Sequence, residues 1–255
     1  MKLRLLALLS AALAFTALAR AEHYPFTEPF SRTGAFAAAG ELSLENVNGD
    51  VTVRTWDKNE ILIEGEKRAR SADELAAIDL KIELSPDRAG VKVKLPKRPG
   101  AFGNTIRAAV TFTITLPRSA TIAKLDTVNA SVKIEGLDGA IRAETVNGGI
   151  TVIDAGGNIH LETVNGGIRL NASRPPGSGC QIHTETVNGR IVIALPRATG
   201  AELKAEVVNG HIACAFPLTL HRGGIGKRHL EATIGAGGAA ISAETVNGNI
   251  DIQSI

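Results

Sequence analysis

The chain has 255 residues, 44% hydrophobic but only 4% aromatic, and carries a formal charge of +2. Lys2, Arg4 and Arg20 fall in a leader-like start that holds no acid, so losing those three cations takes +2 to −1 for a chain beginning at Glu22. That balance exerts no global pull on nucleic acid or anionic lipid, and with Phe216 the only aromatic residue after position 113, ring-stacking platforms for bases or sugars are excluded from the second half.

Residues 1–21 read as a signal peptide: a basic start, an apolar run over 5–18, and Ala19-Arg20-Ala21 at the cleavage positions. The run is too short and too rich in Ala for a good membrane span, and no Cys follows it to take a lipid anchor. No later stretch has spanning length, so the expected destination is the periplasm, the cell surface or the medium. In such an oxidising compartment Cys180 and Cys214 suit either one disulfide or two buried free thiols.

After an N-terminal segment, 22–40, residues 41–120 predict a β-rich capping region. It contains Val47-Asn48-Gly49, strands over 60–64, 80–84, 91–95 and 108–116, and one short helix opened by the capping box Ser71-Ala-Asp-Glu74, with Leu75 and Ile78 as its apolar side. Residues 96–107, with Pro, Gly and three basic residues, predict a surface loop. This region is expected to cover an exposed end or edge of the C-terminal half.

From 121 to 255 the chain repeats. Val-Asn-Gly recurs at Asn147-Gly148, Asn165-Gly166, Asn188-Gly189, Asn209-Gly210 and Asn247-Gly248, with a degenerate copy at Asn129-Ala130. From Asn129 onward the asparagines are 18, 18, 23, 21 and 38 residues apart, the last interval fitting two coils in which one copy of the motif has been replaced. β-Branched or aliphatic residues stand three and five places after most asparagines, as in Ile150 and Val152, so a strand follows each turn. Upstream, positions −6 and −4 (Ile159 and Leu161, for example) face inward, and −5 and −3 face outward.

Hairpins in a meander or coils in a parallel solenoid both satisfy this alternation, and Asn-Gly taken alone favours the hairpin. The identities favour the solenoid. Only when like positions lie over one another, about 4.8 Å apart, do invariant Asn and Thr columns gain amide and hydroxyl ladders. The predicted fold class is therefore all-β: a β-solenoid of 18–23 residues per coil, right-handed by the crossover rule, with a β-rich capping region and one short helix. Asn and Gly are expected to supply positive φ at the turns.

The outward columns are ordered. Asp126, Glu144, Glu162, Glu185, Glu206 and Glu244 form an acidic ladder, and Lys124, Arg142, His160, His183 and Lys204 stand two residues before the first five. Pairs of this kind make a solvated stripe, each worth ~0–1 kcal/mol. Calcium needs several converging oxygens, and one acid per coil beside a cation supplies too few. The histidines of that column read as salt-bridge partners, so no metal, cofactor or catalytic residue is expected. The segment 221–228, Gly-rich with Lys and Arg, suits an anion nest or a solvated insertion and lacks the context of a P-loop.

Residues 45–53 (Glu-Asn-Val-Asn-Gly-Asp-Val-Thr-Val), Trp56-Asp57, Phe-Thr-Ile-Thr-Leu-Pro at 112–117 and the serial Glu-Thr-Val-Asn-Gly copies together resemble the DUF4097 family, adhesin-like proteins of the bacterial envelope. The resemblance covers residues 35–255, with departures at Ala130 and in the basic segment, and implies an exported β-solenoid with no catalytic residues to carry over. The expected function is a non-enzymatic adhesion or scaffold module, contacting envelope polysaccharide or a surface protein but not nucleic acid. A β-helix lyase or hydrolase is the alternative. Self-association through the solenoid ends is a further expectation, because Ile255 ends the last coil without an evident cap.

Overall fold

A computed structural model describes residues 24–95, 107–226 and 228–255. The leader and all of the 96–107 loop except Arg107 lie outside the described residues. The chain opens with β1 (Phe26–Ala35). The pair β2 (Glu41–Glu45) and β3 (Val51–Trp56) flanks the first Val-Asn-Gly. Next come β4 (Glu60–Ala69), α1 (Ala72–Ala76), β5 (Asp79–Leu84), β6 (Arg88–Lys94) and β7 (Ala108–Pro117). The repeats supply β8 (Thr121–Asn129) with β9 (Val132–Glu135), β10 (Ile141–Asn147) with β11 (Ile150–Ile153), and β12 (Ile159–Asn165) with β13 (Ile168–Asn171). They continue with β14 (Gln181–Asn188), β15 (Ile191–Leu195), β16 (Ala201–Asn209), β17 (Ile212–Cys214), β18 (Leu218–Ile225), β19 (His229–Ile234), β20 (Ala239–Asn247) and β21 (Ile250–Ser254).

The fold is all-β with one short helix, and its repeats stack in parallel with like over like. Glu144 pairs with Glu162, Thr145 with Thr163 and Asn147 with Asn165. The first strand of each coil joins an eleven-stranded front sheet and the second a ten-stranded back sheet. The inward columns meet between them: Leu125, Ala143, Leu161, Ile134, Val152 and Leu170 are fully buried. A coil cannot close that core alone, and burying each Ile or Leu against the next coil contributes about 1.5–3 kcal/mol.

Spatial order departs from chain order at both ends. The front sheet runs β18-β19-β16-β20-β14-β12-β10-β8-β2-β6-β5, and the back sheet runs β17-β21-β15-β13-β11-β9-β3-β7-β4-β1. The coil made by β20 and β21 is therefore inserted between two earlier coils, and β2 with β3 sits between β6–β7 and β8–β9. Residues 41–120 supply two coils of the stack as well as antiparallel strands over its end, β5 on β6 and β4 on β7, and β1 from the N-terminal segment pairs antiparallel with β4. Ser71 caps α1 by accepting the Glu74 N–H at 3.1 Å, and Ile78 behind it is buried.

Three expectations need correction. The interval between Asn209 and Asn247 is not two coils, because β18 and β19 form an antiparallel hairpin laid against β16. The segment read as a nest or loop is largely strand β18, which alternation could not reveal because Gly interrupts it. Ile255 does not mark an open end, since its strand is interior; the front sheet closes with β18, and the back sheet ends in the three-residue β17, a short edge of the kind that resists edge-to-edge pairing. Cys180 and Cys214 are free thiols, half-buried rather than buried, and burial pushes the Cys214 thiol up.

The turns use Asn and Gly differently from expectation. Among the described residues no Asn has positive φ; the conformation falls on Gly49 (108°), Gly148 (152°) and Gly210 (154°). Asn instead ends each strand, and its amide donates to the next one. Asn129 Nδ2 reaches Asn48 Oδ1 at 2.7 Å, and the row continues through Asn147, Asn165, Asn188, Asn247 and Asn209 at 2.8–2.9 Å. Asn48 Nδ2 closes the row on Ala108 O at 2.9 Å.

The Thr column does not ladder on itself. Its buried hydroxyls donate to the turn carbonyl of the adjacent coil: Thr145 to Ala130, Thr163 to Gly148, Thr186 to Gly166 and Thr245 to Gly189, at 2.9–3.2 Å. Thr127 Oγ1 is the exception, buried and without a partner, because Gly49 O is held by Asn46 Nδ2 at 2.9 Å. Thr163→Val should therefore cost about 1–2 kcal/mol, whereas Thr127→Val should be neutral or stabilise by up to ~1 kcal/mol. Denaturant midpoints of the two variants check this; equal losses would show that the hydroxyl bond is not what the column supplies.

Candidate functional site

The outward face of the front sheet carries the predicted acidic ladder. Stacking places Glu45, Asp126, Glu144, Glu162, Glu185, Glu244 and Glu206 in one row, with Glu244 between Glu185 and Glu206 because its coil is inserted there. Each of five acids meets the Lys, Arg or His two residues before it. Lys124 Nζ lies 3.0 Å from Asp126, His160 Nε2 2.5 Å from Glu162, His183 Nε2 3.7 Å from Glu185 and Lys204 Nζ 3.0 Å from Glu206, and Arg142 pairs with Glu144. The strand alternation causes this, since residues two apart share a face. Glu244 has Ser242 in the position two before it, whose hydroxyl donates at 3.2 Å, and feels Lys204 across the strand pair.

Permanent cations set the electrostatics where they are present. Lys92 and Lys124 clamp Glu45 from both sides and take its carboxyl from the usual 4.5 to about 2. Lys204 holds Glu206 down, and Lys124 is raised in turn by Glu45 and Asp126. On the opposite rim, Arg118 bridges Asp138 at 2.9 Å and Asp154 at 2.8 Å, stitching the Gly-rich turns of successive coils. The Ser173 hydroxyl, then Arg118, lowers Asp154.

Sequence reasoning missed a third column. Val128, Val146, Val164, Val187, Val246 and Val208 are exposed, between 36% and 53%, in an unbroken stripe beside the acids. The signal was available: position −1 shares the outward parity of −3 and −5. A groove of about 390 Å³ runs between acids and valines from Asp126 to Val187. Another of about 320 Å³ continues it over Glu206 and Glu244 to Arg228 and His229. A second grouping crosses from the histidine column: His160, Glu162 and His183 each place one donor atom within 4.8 Å of the others. The sequence set both histidines in one column of successive coils, where they read as salt-bridge partners rather than as ligands.

No family profile and no curated protein matches the chain. Among solved structures it is similar to a candidate cell adhesion protein from Clostridium sporogenes, 15% identical, with a TM-score of 0.49 over 89% of this chain and 100% of that one. A candidate adhesin from Bacteroides fragilis is 12% identical, with a TM-score of 0.41 over 89% and 97% of the two chains. A candidate lipid binding protein from Parabacteroides distasonis is 11% identical, with a TM-score of 0.28 over 89% and 97%. These structural neighbours are thus bacterial and mostly adhesin-like by description, and likeness at this level says nothing of what this chain binds. Among the described residues, no helix is long and apolar enough to cross a membrane.

Proposed function

We propose that this chain is an exported, non-enzymatic β-solenoid of the DUF4097 type that serves as an adhesion or scaffold module of the bacterial envelope. Its partner is an envelope polysaccharide or a surface protein, held on the outward front face. The observation that carries the reading is the exposed valine stripe beside a continuous row of acids, on a surface that six coils keep in register. A contiguous apolar stripe rimmed by charge is the kind of surface that soluble proteins reserve for contacts. The charge row supplies orientation and partner discrimination more than affinity.

The test is retention of isolated envelope polysaccharides and surface proteins on the immobilised protein, compared with Val146→Lys and Val164→Lys. Loss of retention in folded variants is expected, and undiminished retention would remove this face from the proposal. The same polysaccharides are assayed for cleavage. Turnover that disappears in Glu144→Gln or Glu162→Gln would replace the module by a lyase or hydrolase.

A further inference from the structure

His160 and His183 are register partners on β12 and β14, their rings stacked with centroids 4.9 Å apart and planes 21° from parallel. Each is followed two residues later by a carboxylate on the same face, so His-Xaa-Glu lies directly over His-Xaa-Glu. His160 Nε2 is 2.5 Å from Glu162 Oε1, and His183 Nε2 is 3.7 Å from Glu185 Oε2. One donor atom from each of His160, Glu162 and His183 falls within a common 4.8 Å.

Charge points the same way. None of β12, β14 and β20 contains Lys or Arg, so Glu162, Glu185 and Glu244 stack at ladder spacing with no permanent cation on their own strands. Carboxylates directly opposite one another destabilise a sheet. Elsewhere along the row a Lys or Arg relieves this, as Lys124, Arg142 and Lys204 do. At His160 and His183 an imidazole stands where those cations stand elsewhere, and its ring nitrogens are ligands for transition metals.

We propose that His160, His183 and Glu162 bind one divalent transition ion of the zinc class on the front face, with Glu185 beside it and the remaining position open to solvent. Two imidazoles and a carboxylate suit zinc, copper(II) or nickel(II) rather than calcium or magnesium. Zinc bonds nitrogen at about 2.0–2.1 Å and carboxylate oxygen at about 2.0–2.2 Å, which sets ligand atoms ~3–4 Å apart around the ion. The three side chains are 31%, 32% and 38% exposed, free enough to swing that distance while the sheet holds their Cα atoms in place. The ion supplies positive charge at the stretch of the acid row that lacks it. The site needs two coils in register and is therefore a property of the stack, not of one repeat.

The experiment uses the exported chain from Glu22, stripped with chelator and titrated calorimetrically with zinc chloride at pH 7.5. One saturable site per chain is expected, with zinc raising the thermal midpoint by linkage. His160→Ala and His183→Ala should each weaken binding by at least ~10-fold, the loss expected when one of three ligands is removed. Glu162→Gln, which keeps size and packing, should also weaken it. His23→Ala and His221→Ala should leave it unchanged, which separates this site from the chain start and from the β18–β19 hairpin. Retained affinity in the folded His160→Ala/His183→Ala double variant, loss in either control, or no saturation below ~1 mM would each overturn the proposal; the last limit is the ~4 kcal/mol that marks weak association.

Discussion

Truncation after Gly238, removing β20 and β21, should unfold the far end of the stack rather than shorten it. These strands fill the slot between β14–β15 and β16–β17, so their loss leaves β14, β15 and β16 each without a partner on one side and takes from β17 its sheet partner β21. Ile241, Ile250 and Ile252, all at 2% exposure or less, go with them, about 5–9 kcal/mol of apolar burial against a total stability of order 5–15 kcal/mol. Residues 201–234 should lose amide protection in hydrogen exchange, and the thermal midpoint should fall steeply. A near-native midpoint with β16 protected would mean that the vacated slot closes by direct pairing of β16 with β14, and interleaving would then contribute little.

Gly166→Ala should be among the most damaging single substitutions in the repeats, at about 2–4 kcal/mol. A Cβ there would lie 1.9 Å from the carbonyl oxygen of Gly148 and 2.5 Å from its carbon, backbone atoms fixed by ladders on both sides. The adjacent carbonyl also accepts the Thr163 hydroxyl, so any shift that admits the methyl group disturbs that bond. Ala130 occupies the equivalent place two repeats away, where Asn46 holds the Gly49 carbonyl and the neighbouring Thr127 bond is absent. Ala130→Gly should accordingly change stability by less than ~1 kcal/mol. Chemical denaturation of the two variants decides the matter; equal effects would mean that close approach is not why Gly stands in the turn.

The architecture was legible because a period-two pattern and a period near 20 agree. Inward positions such as Leu125, Leu161 and Ala243 are fully buried, and the basic or imidazole side chains two residues before the acids meet them in space. The order of the coils was not legible. Every coil presents the same columns to its neighbours, so Asn209 can sit over Asn188 or over Asn247 with equal local satisfaction, and only the connections decide. Strand β18 escaped notice because Gly223 and Gly224 break its alternation and carry low strand propensity. The valine column was hidden by attention to the turn beside it. The histidine column was legible, but the carboxylate two residues after each His read as an ion-pair partner, and the closeness of His160, Glu162 and His183 shows only in three dimensions.

Every donor in the amide row from Asn48 to Asn209 points the same way, toward β7, and both ends of the molecule are finished by strands drawn from other parts of the chain. Interior copies such as the 18 residues from Ile141 to Asn158 thus touch neither terminus and keep register with their neighbours through the shared Glu, Thr and Asn columns. Duplicating that stretch in the gene would lengthen the molecule by one spacing of about 4.8 Å and leave its two closures as they are. Reach, in a protein of this construction, can be adjusted without redesigning how it begins or stops.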